Sequence, residues 1–218
     1  MSHPAATMPD AIFETLRARI IDQSEPPGST LTESAVALRF GVARPTAKLA
    51  LERLVAEGLL RREAHRAARV PQLDRGDIAD LFATRRLIES AAAGSLAHGG
   101  TIPAGALGAH RELLAVAPAG GAFAGPDAAF HRALVAGSPS PRLARMHGSL
   151  MGEIELCIGQ VQAHHLLDVT VVAAQHQRIL DAIIAGDPAA AADLTAAHID
   201  AAGAALLAHY DTRPRGTS

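Results

Sequence analysis

The tetrapeptide Ala185-Gly186-Asp187-Pro188 constrains this chain more than any other four residues in it. Glycine ends one helix, aspartate caps the next and proline occupies its first turn, so the sequence predicts an αα-hairpin there. Apolar residues recur at helical spacing on both sides, predicting helices from Leu167 to Ala185 and from Pro188 to His209. The same periodicity predicts helices from Asp77 to Ala97, about Ala104 to Val116, Asp127 to Ala136, and Ser140 to about Gln162. Their connections, "GGTIPAGALG" and "APAGGAFAGP", are short, and short connections make antiparallel neighbours. Aromatic residues supply only 3% of the chain while alanine dominates the apolar set, which favours helices packed closely through small side chains.

The N-terminal third follows another plan. Ile12, Leu16, Ile20 and Ile21 form one stripe of a helix that begins near Ala11, and "SEPPGST" breaks it. Thr32 caps a short helix running to Phe40, and Gly41 makes a tight turn. A third helix follows in "RPTAKLALERLVAEG", with Leu49, Leu51, Leu54 and Val55 as its apolar residues and Gly58 closing it. "LLRREAHRAARVPQL" then reads as a small hairpin around a basic middle. Helix, helix, turn, helix and hairpin make a winged helix-turn-helix, whose third helix would enter the DNA major groove. The net charge of −2 conceals eight basic residues against three acids between Arg39 and Arg69, the footprint of a phosphate-binding surface. "PQLDRGD" reads as the seam between two domains, residues 1–73 and 74–218. The expected fold is mainly α: an N-terminal winged helix-turn-helix plus a C-terminal all-helical antiparallel bundle.

A single cysteine, Cys157, excludes an intramolecular disulfide and favours a reducing compartment. No apolar run approaches about 18 residues, and no basic start followed by an apolar stretch opens the sequence. A soluble, cytoplasmic protein with no membrane partner is the resulting expectation.

"DAAFH" places Asp127 and His131 four residues apart, on one face of a helix. A helix start with an acid in its first turn would explain the aspartate alone. His176 shares the apolar stripe of Ile179 and Ile183, and His198 lies beside Ile199 and four residues after Leu194. The two histidines stand ten residues before and twelve after Gly186, so the hairpin brings them to nearly equal heights. One aspartate and three histidines converging inside a bundle suit one divalent ion per chain, with zinc, manganese and nickel all compatible. His147, on the long helix, is a candidate for reaching the same pocket, whereas His98, His110 and His209 fit helix-end or solvent positions.

Both halves resemble the GntR family of bacterial transcription regulators, in its FadR-type branch with an all-helical FCD effector domain. The resemblance spans residues 11–209 and rests on "PGSTLTESAVALRFGVARPTAKLALERLVAEGLLRR", "DAAFH" and "QHQRILDAIIAGDPAAAADLTAAH". It implies DNA contacts from Arg44, Lys48 and Arg53, with Arg66 in the wing and Thr46 sharing the base-edge and phosphate work. The same resemblance implies that the Asp127, His131, His176 and His198 site lies in an effector pocket. There the metal either stiffens the bundle or receives the carboxylate of a small organic acid. Arg85 matches a position that lines such a pocket, although Glu89 four residues later makes an ordinary helix pair the plain alternative. Departures are visible: "ARPTAKL" carries Pro45 one place early, Lys48 replaces a common arginine, and His65-Arg66-Ala67 lacks the wing glycines.

The function implied is a ligand-responsive regulator, a repressor by type, binding a palindromic double-stranded operator as a homodimer and sensing a small carboxylate. A regulator whose signal is the metal itself is the alternative. A metal-dependent hydrolase fits less well, because Glu153 and Glu155 lack an evident companion as general base and the N-terminal half would have no purpose.

Overall fold

The computed structural model describes residues 7–63 and 66–212. It divides into two compact units, Met1–Leu73 and Asp74–Ser218.

In the first unit, α1 (Met8–Ile21) buries Ile12, Phe13, Leu16, Ile20 and Ile21 and packs on α3 (Arg44–Ala56). Between them lies α2 (Glu33–Phe40), capped by the Thr32 side chain, which accepts from the Ala35 N–H at 3.1 Å. Gly41 closes α2 at φ +64°, a left-handed conformation that glycine adopts without a Cβ penalty. Ala47, Ala50, Leu51 and Leu54 form the buried stripe of α3. Leu49, one of the apolar residues of this helix, is 56% exposed, because it lies on the opposite side of the helix from that stripe.

The wing also differs from expectation. Its main pairing joins β1 (Thr30–Leu31) antiparallel to β2 (Ala68–Arg69), with Thr30 opposite Arg69 and Leu31 opposite Ala68. Arg61 contributes a single bridge to Arg69. The partner strand thus comes from "GSTL", forty residues upstream, and two residues are too few to show any periodicity. Residues 64–65, at the expected turn, lie outside the described residues.

The second unit contains α4 (Arg75–Gly99), α5 (Ala104–Val116), α6 (Ala124–Gly137), α7 (Pro141–Ala163), α8 (Val169–Ile184) and α9 (Pro188–Thr212). The predicted hairpin is present: Gly186 stands at φ +67°, and the Asp187 carboxylate accepts from the Ala190 N–H. The most extensive helix contact joins the two long helices α4 and α9. A buried cluster of Ala93, Leu96, Phe130, Leu134, Ile179 and Ile183, filled in by alanines, closes one end of the bundle. Small residues set the helix spacing. A Cβ on Gly203 of α9 would lie 2.9 Å from the Phe82 ring of α4, closer than real Cβ contacts. Among the described residues, no helix is long and apolar enough to cross a membrane.

Two glycine replacements should therefore act with opposite signs. Gly203→Ala is expected to destabilise by about 1–3 kcal/mol through overpacking against Phe82. Gly108→Ala in α5, where nothing lies within 4 Å of the added carbon, should stabilise by about 0.5–1 kcal/mol through helix propensity. Urea denaturation of both variants checks the pair.

Candidate metal centre

The helix bearing "DAAFH" starts earlier than its Gly125-Pro126-Asp127 sequence suggests. Phe123 is its N-cap, and the N–H groups of Phe123 and Ala124 both donate to the side-chain oxygen of Gln162 at the end of α7. A cap supplied from another helix leaves no local signal. Asp127 consequently sits at the end of the first turn, with its N–H bonded to Phe123 O, and its side chain is buried. His131 follows one turn later on the same face, fully buried.

The remaining donors arrive from the hairpin. His176 belongs to the buried stripe Val172, Ala173, His176, Ile179, Leu180 and Ile183 of α8. His198 stands with Thr195 and Ile199 on the buried side of α9. One ligand atom from each of Asp127, His131, His176 and His198 lies within 4.8 Å of every other. His131 Nε2 is 3.1 Å from His198 Nε2, and His176 Nε2 is 3.3 Å from it. Asp127 Oδ1 lies 3.2 Å from His176 Nε2 and 3.9 Å from His131 Nε2.

The outer shell decides what those nitrogens present. His131 Nδ1 lies 2.5 Å from Glu89 Oε2, and His198 Nδ1 lies 2.8 Å from the Gln175 side-chain oxygen. The acceptor at His198 Nδ1 favours a proton there, which leaves the His198 Nε2 lone pair facing the other donors, while Glu89 Oε2 stands close to His131 Nδ1 without hydrogen-bond geometry. At 3.1 Å, the His131 and His198 Nε2 atoms either share a proton or face a cation that takes its place. A divalent ion bound about 2.0–2.1 Å from each donor sets neighbouring ligand atoms roughly 3 Å apart, as here. His176 is oriented differently: its ring stacks on Phe130 with centroids 3.8 Å apart and planes 11° apart. The donor set fits a divalent transition metal.

Electrostatics prepare the same state. Burial opposes ionisation of Asp127, but the facing His176 bond and the proximity of the His131, His176 and His198 rings hold its carboxyl well below the usual range. Burial pushes His176 down to about 4, against the pull of Asp127, and pushes His198 well down too. A carboxylate and neutral imidazoles are the forms that bind metal. Cys157 takes no part: burial raises its thiol to about 12.

Arg85 and His147 join the site through Glu89. Glu89 Oε1 accepts from Arg85 Nε at 3.0 Å and lies 3.1 Å from His147 Nε2, all three side chains being buried. Burial disfavours the Glu89 charge, but His131 and Arg85 outweigh it and keep the carboxyl well below its ordinary value. The Arg85–Glu89 helix pair is thus real, and Arg85 also lines a cavity of about 20 Å³ with Asp127, His198, Phe82 and Phe123. That volume admits about one water molecule. His147 is behind Glu89 and does not line this cavity. His110, expected at a helix end or in solvent, is buried beside Phe130 and bonded to Gln177. Gln162, Gln175 and Phe130 carried no signal of their roles, because each acts on a residue of another helix or through stacking.

In the first unit, Arg44 opens α3, exposed, with its guanidinium on Ser34 Oγ. Thr46 is half-buried, and exposed Lys48 faces Glu52 at 3.6 Å. Arg53 is held by Asp10 and Glu57 and lies 3.7 Å over the Phe13 ring. Arg66 is exposed in the wing beside Glu63 and, with Arg61 and Arg69, lines a groove of about 320 Å³.

Comparison with known proteins accounts for both units. The FCD domain profile matches residues 80–201, and the profile of bacterial regulatory proteins of the gntR family matches residues 9–70. A Paenarthrobacter nicotinovorans protein described as a "Probable D-xylose utilization operon transcriptional repressor" is 27% identical over 179 residues, 81% of this chain and 78% of that one. A solved GntR transcriptional regulator from Rhodococcus sp. RHA1 is 27% identical, with a TM-score of 0.70 over 93% of this chain and 98% of its own. The fold of E. coli McbR/YncC is similar too, at 18% identity and a TM-score of 0.74 over 94% of this chain and 99% of its own. The matching gntR profile and the Paenarthrobacter and Rhodococcus descriptions are of transcriptional regulators, not enzymes, which removes the hydrolase alternative. The chain belongs to the GntR family of bacterial transcription regulators, with a GntR N-terminal domain and an FCD effector-binding domain.

Proposed function

We propose that residues 1–73 bind a palindromic operator as part of a cytoplasmic homodimer, while residues 74–218 hold one divalent ion that receives a small carboxylate effector. The observation that carries this reading is the convergence of Asp127, His131, His176 and His198 beside a cavity lined by Arg85. Asp127 and Glu89 together outweigh Arg85 by one buried negative charge. A divalent ion reverses that excess, and a monoanionic ligand at the metal then balances it, which a dry interior favours. The ion would polarise and orient the carboxylate, Arg85 would supply a second charged contact, and Glu89 would hold both Arg85 and His131 in place. Repression is the mode that the Paenarthrobacter relative's description suggests. The one-water cavity supports a second reading, in which the ion alone is the signal.

Thermal shifts with a panel of small mono- and dicarboxylates separate the two. A shift in metal-loaded protein that vanishes after chelation supports the effector reading. Operator release by metal alone, with no response to any carboxylate, supports the metal sensor.

Protein supplied with zinc, manganese or nickel should carry about one ion per chain. His176→Ala and His198→Ala should lose it by elemental analysis. Both should also lose the stabilisation of about 2.7 kcal/mol expected when free ion is at a hundred times its Kd. Full metal content in both variants would sink the assignment.

Acid should destabilise the metal-free protein. An unfolded imidazole protonates near pH 6.5, whereas folded His176 does so at about 4, so the unfolded chain binds more protons between those values. Stability is present above that window and falls as pH drops through it. A pH series of melting temperatures in chelator checks this, and His176→Gln should flatten the slope.

On DNA, Arg44→Ala should weaken specific binding by about 1–3 kcal/mol. Lys48→Ala should lower the salt slope by about one. Parent-like binding by both would remove α3 as the reading helix.

A further inference from the structure

The outward face of α3 carries two exposed apolar residues, Pro45 and Leu49, beside the acid Glu52. Its buried residues Ala47, Ala50, Leu51 and Leu54 define the side turned to the core. At 100° per residue, Pro45, Leu49 and Glu52 lie roughly 150–170° from the middle of that stripe. Arg44 and Lys48 flank this outward face on one side and Thr46 and Arg53 on the other, each roughly 70–110° from the stripe. The flanks are already engaged: Arg44 on Ser34, Lys48 on Glu52, and Arg53 on Asp10, Glu57 and Phe13. Leu49 is 56% exposed, and Pro45 is exposed one turn before it.

We infer that Leu49, with Pro45 beside it, is a specificity-determining residue that packs against the C5-methyl group of a thymine in the major groove. This rests on the DNA-binding reading of α3. A helix enters the groove with its outward face toward the base edges, while its flanks run beside the phosphates. Thymine presents the one apolar group among the natural base edges there. The occupant is DNA because basic residues surround the leucine: Arg44 and Lys48 on its own helix, within a segment where eight basic residues face three acids from Arg39 to Arg69. An apolar protein partner would have to desolvate those charged groups, whereas the DNA backbone brings phosphates to them.

The test uses the full chain and a pool of randomised DNA duplexes. Parent protein should enrich a motif with thymine at one fixed position in each half-site. Replacing that thymine by uracil, which removes only the methyl group, should weaken binding about fourfold. Leu49→Ala should lose both the thymine preference and the uracil penalty while keeping salt-dependent binding, and Leu49→Met should retain them. Selection of the same motif by Leu49→Ala, with an unchanged uracil penalty, would overturn the inference and leave the DNA reading intact. Failure of the parent to enrich any motif would overturn both.

Discussion

Of the three carboxylates buried among the described residues of this alanine-rich bundle, Glu155 is met by Arg132, and Asp127 and Glu89 set the terms for the rest of the C-terminal unit. An ionised carboxyl removed from water costs several kcal/mol unless charge and hydrogen bonds replace the solvent. Glu89 meets that demand with Arg85, His147 and His131, drawn from three helices. Asp127 faces His176 at the distance of a ligand pair. The organisation of α4, α6, α7, α8 and α9 around this point follows from that requirement, since no single helix could supply enough partners.

Close helix spacing makes the arrangement possible. Imidazole nitrogens from α6, α8 and α9 can meet only if the backbones approach closely, and alanine with glycine at the contacts allows it. Gly203 under the Phe82 ring is the clearest instance on the α4–α9 side. The scarcity of aromatic residues is thus tied to the centre. Phe130 is the exception that proves useful, because its ring fixes the plane of His176 by stacking where no acceptor is placed.

What could be read from the sequence depended on how local each cause was. Helix periodicity and the turn at Gly186 are local, so the six bundle helices and the equal heights of His176 and His198 were legible. Asp127 and His131 were legible because four residues of helix put them on one face. Gln175 holds His198 and Gln162 caps α6 across the bundle, and neither spacing nor residue type announces such partners. Strand β1 was invisible for want of length. Which apolar residues of α3 are buried was not legible from their type: Leu51 and Leu54 join Ala47 and Ala50 in the buried stripe, while Leu49 is exposed.

The donor set at the metal centre is nitrogen and oxygen only, and the chain's single sulfhydryl is sealed in the interior with its proton held on up to about pH 12. Thiolates, not thiols, are the nucleophiles that attack peroxides and disulfides. Cys157 therefore offers them no nucleophile at neutral pH, and the candidate ligand set contains no sulfur to oxidise. The candidate ligands are thereby indifferent to thiol oxidation, and proton, metal and ligand concentration are the solution variables left to act on them.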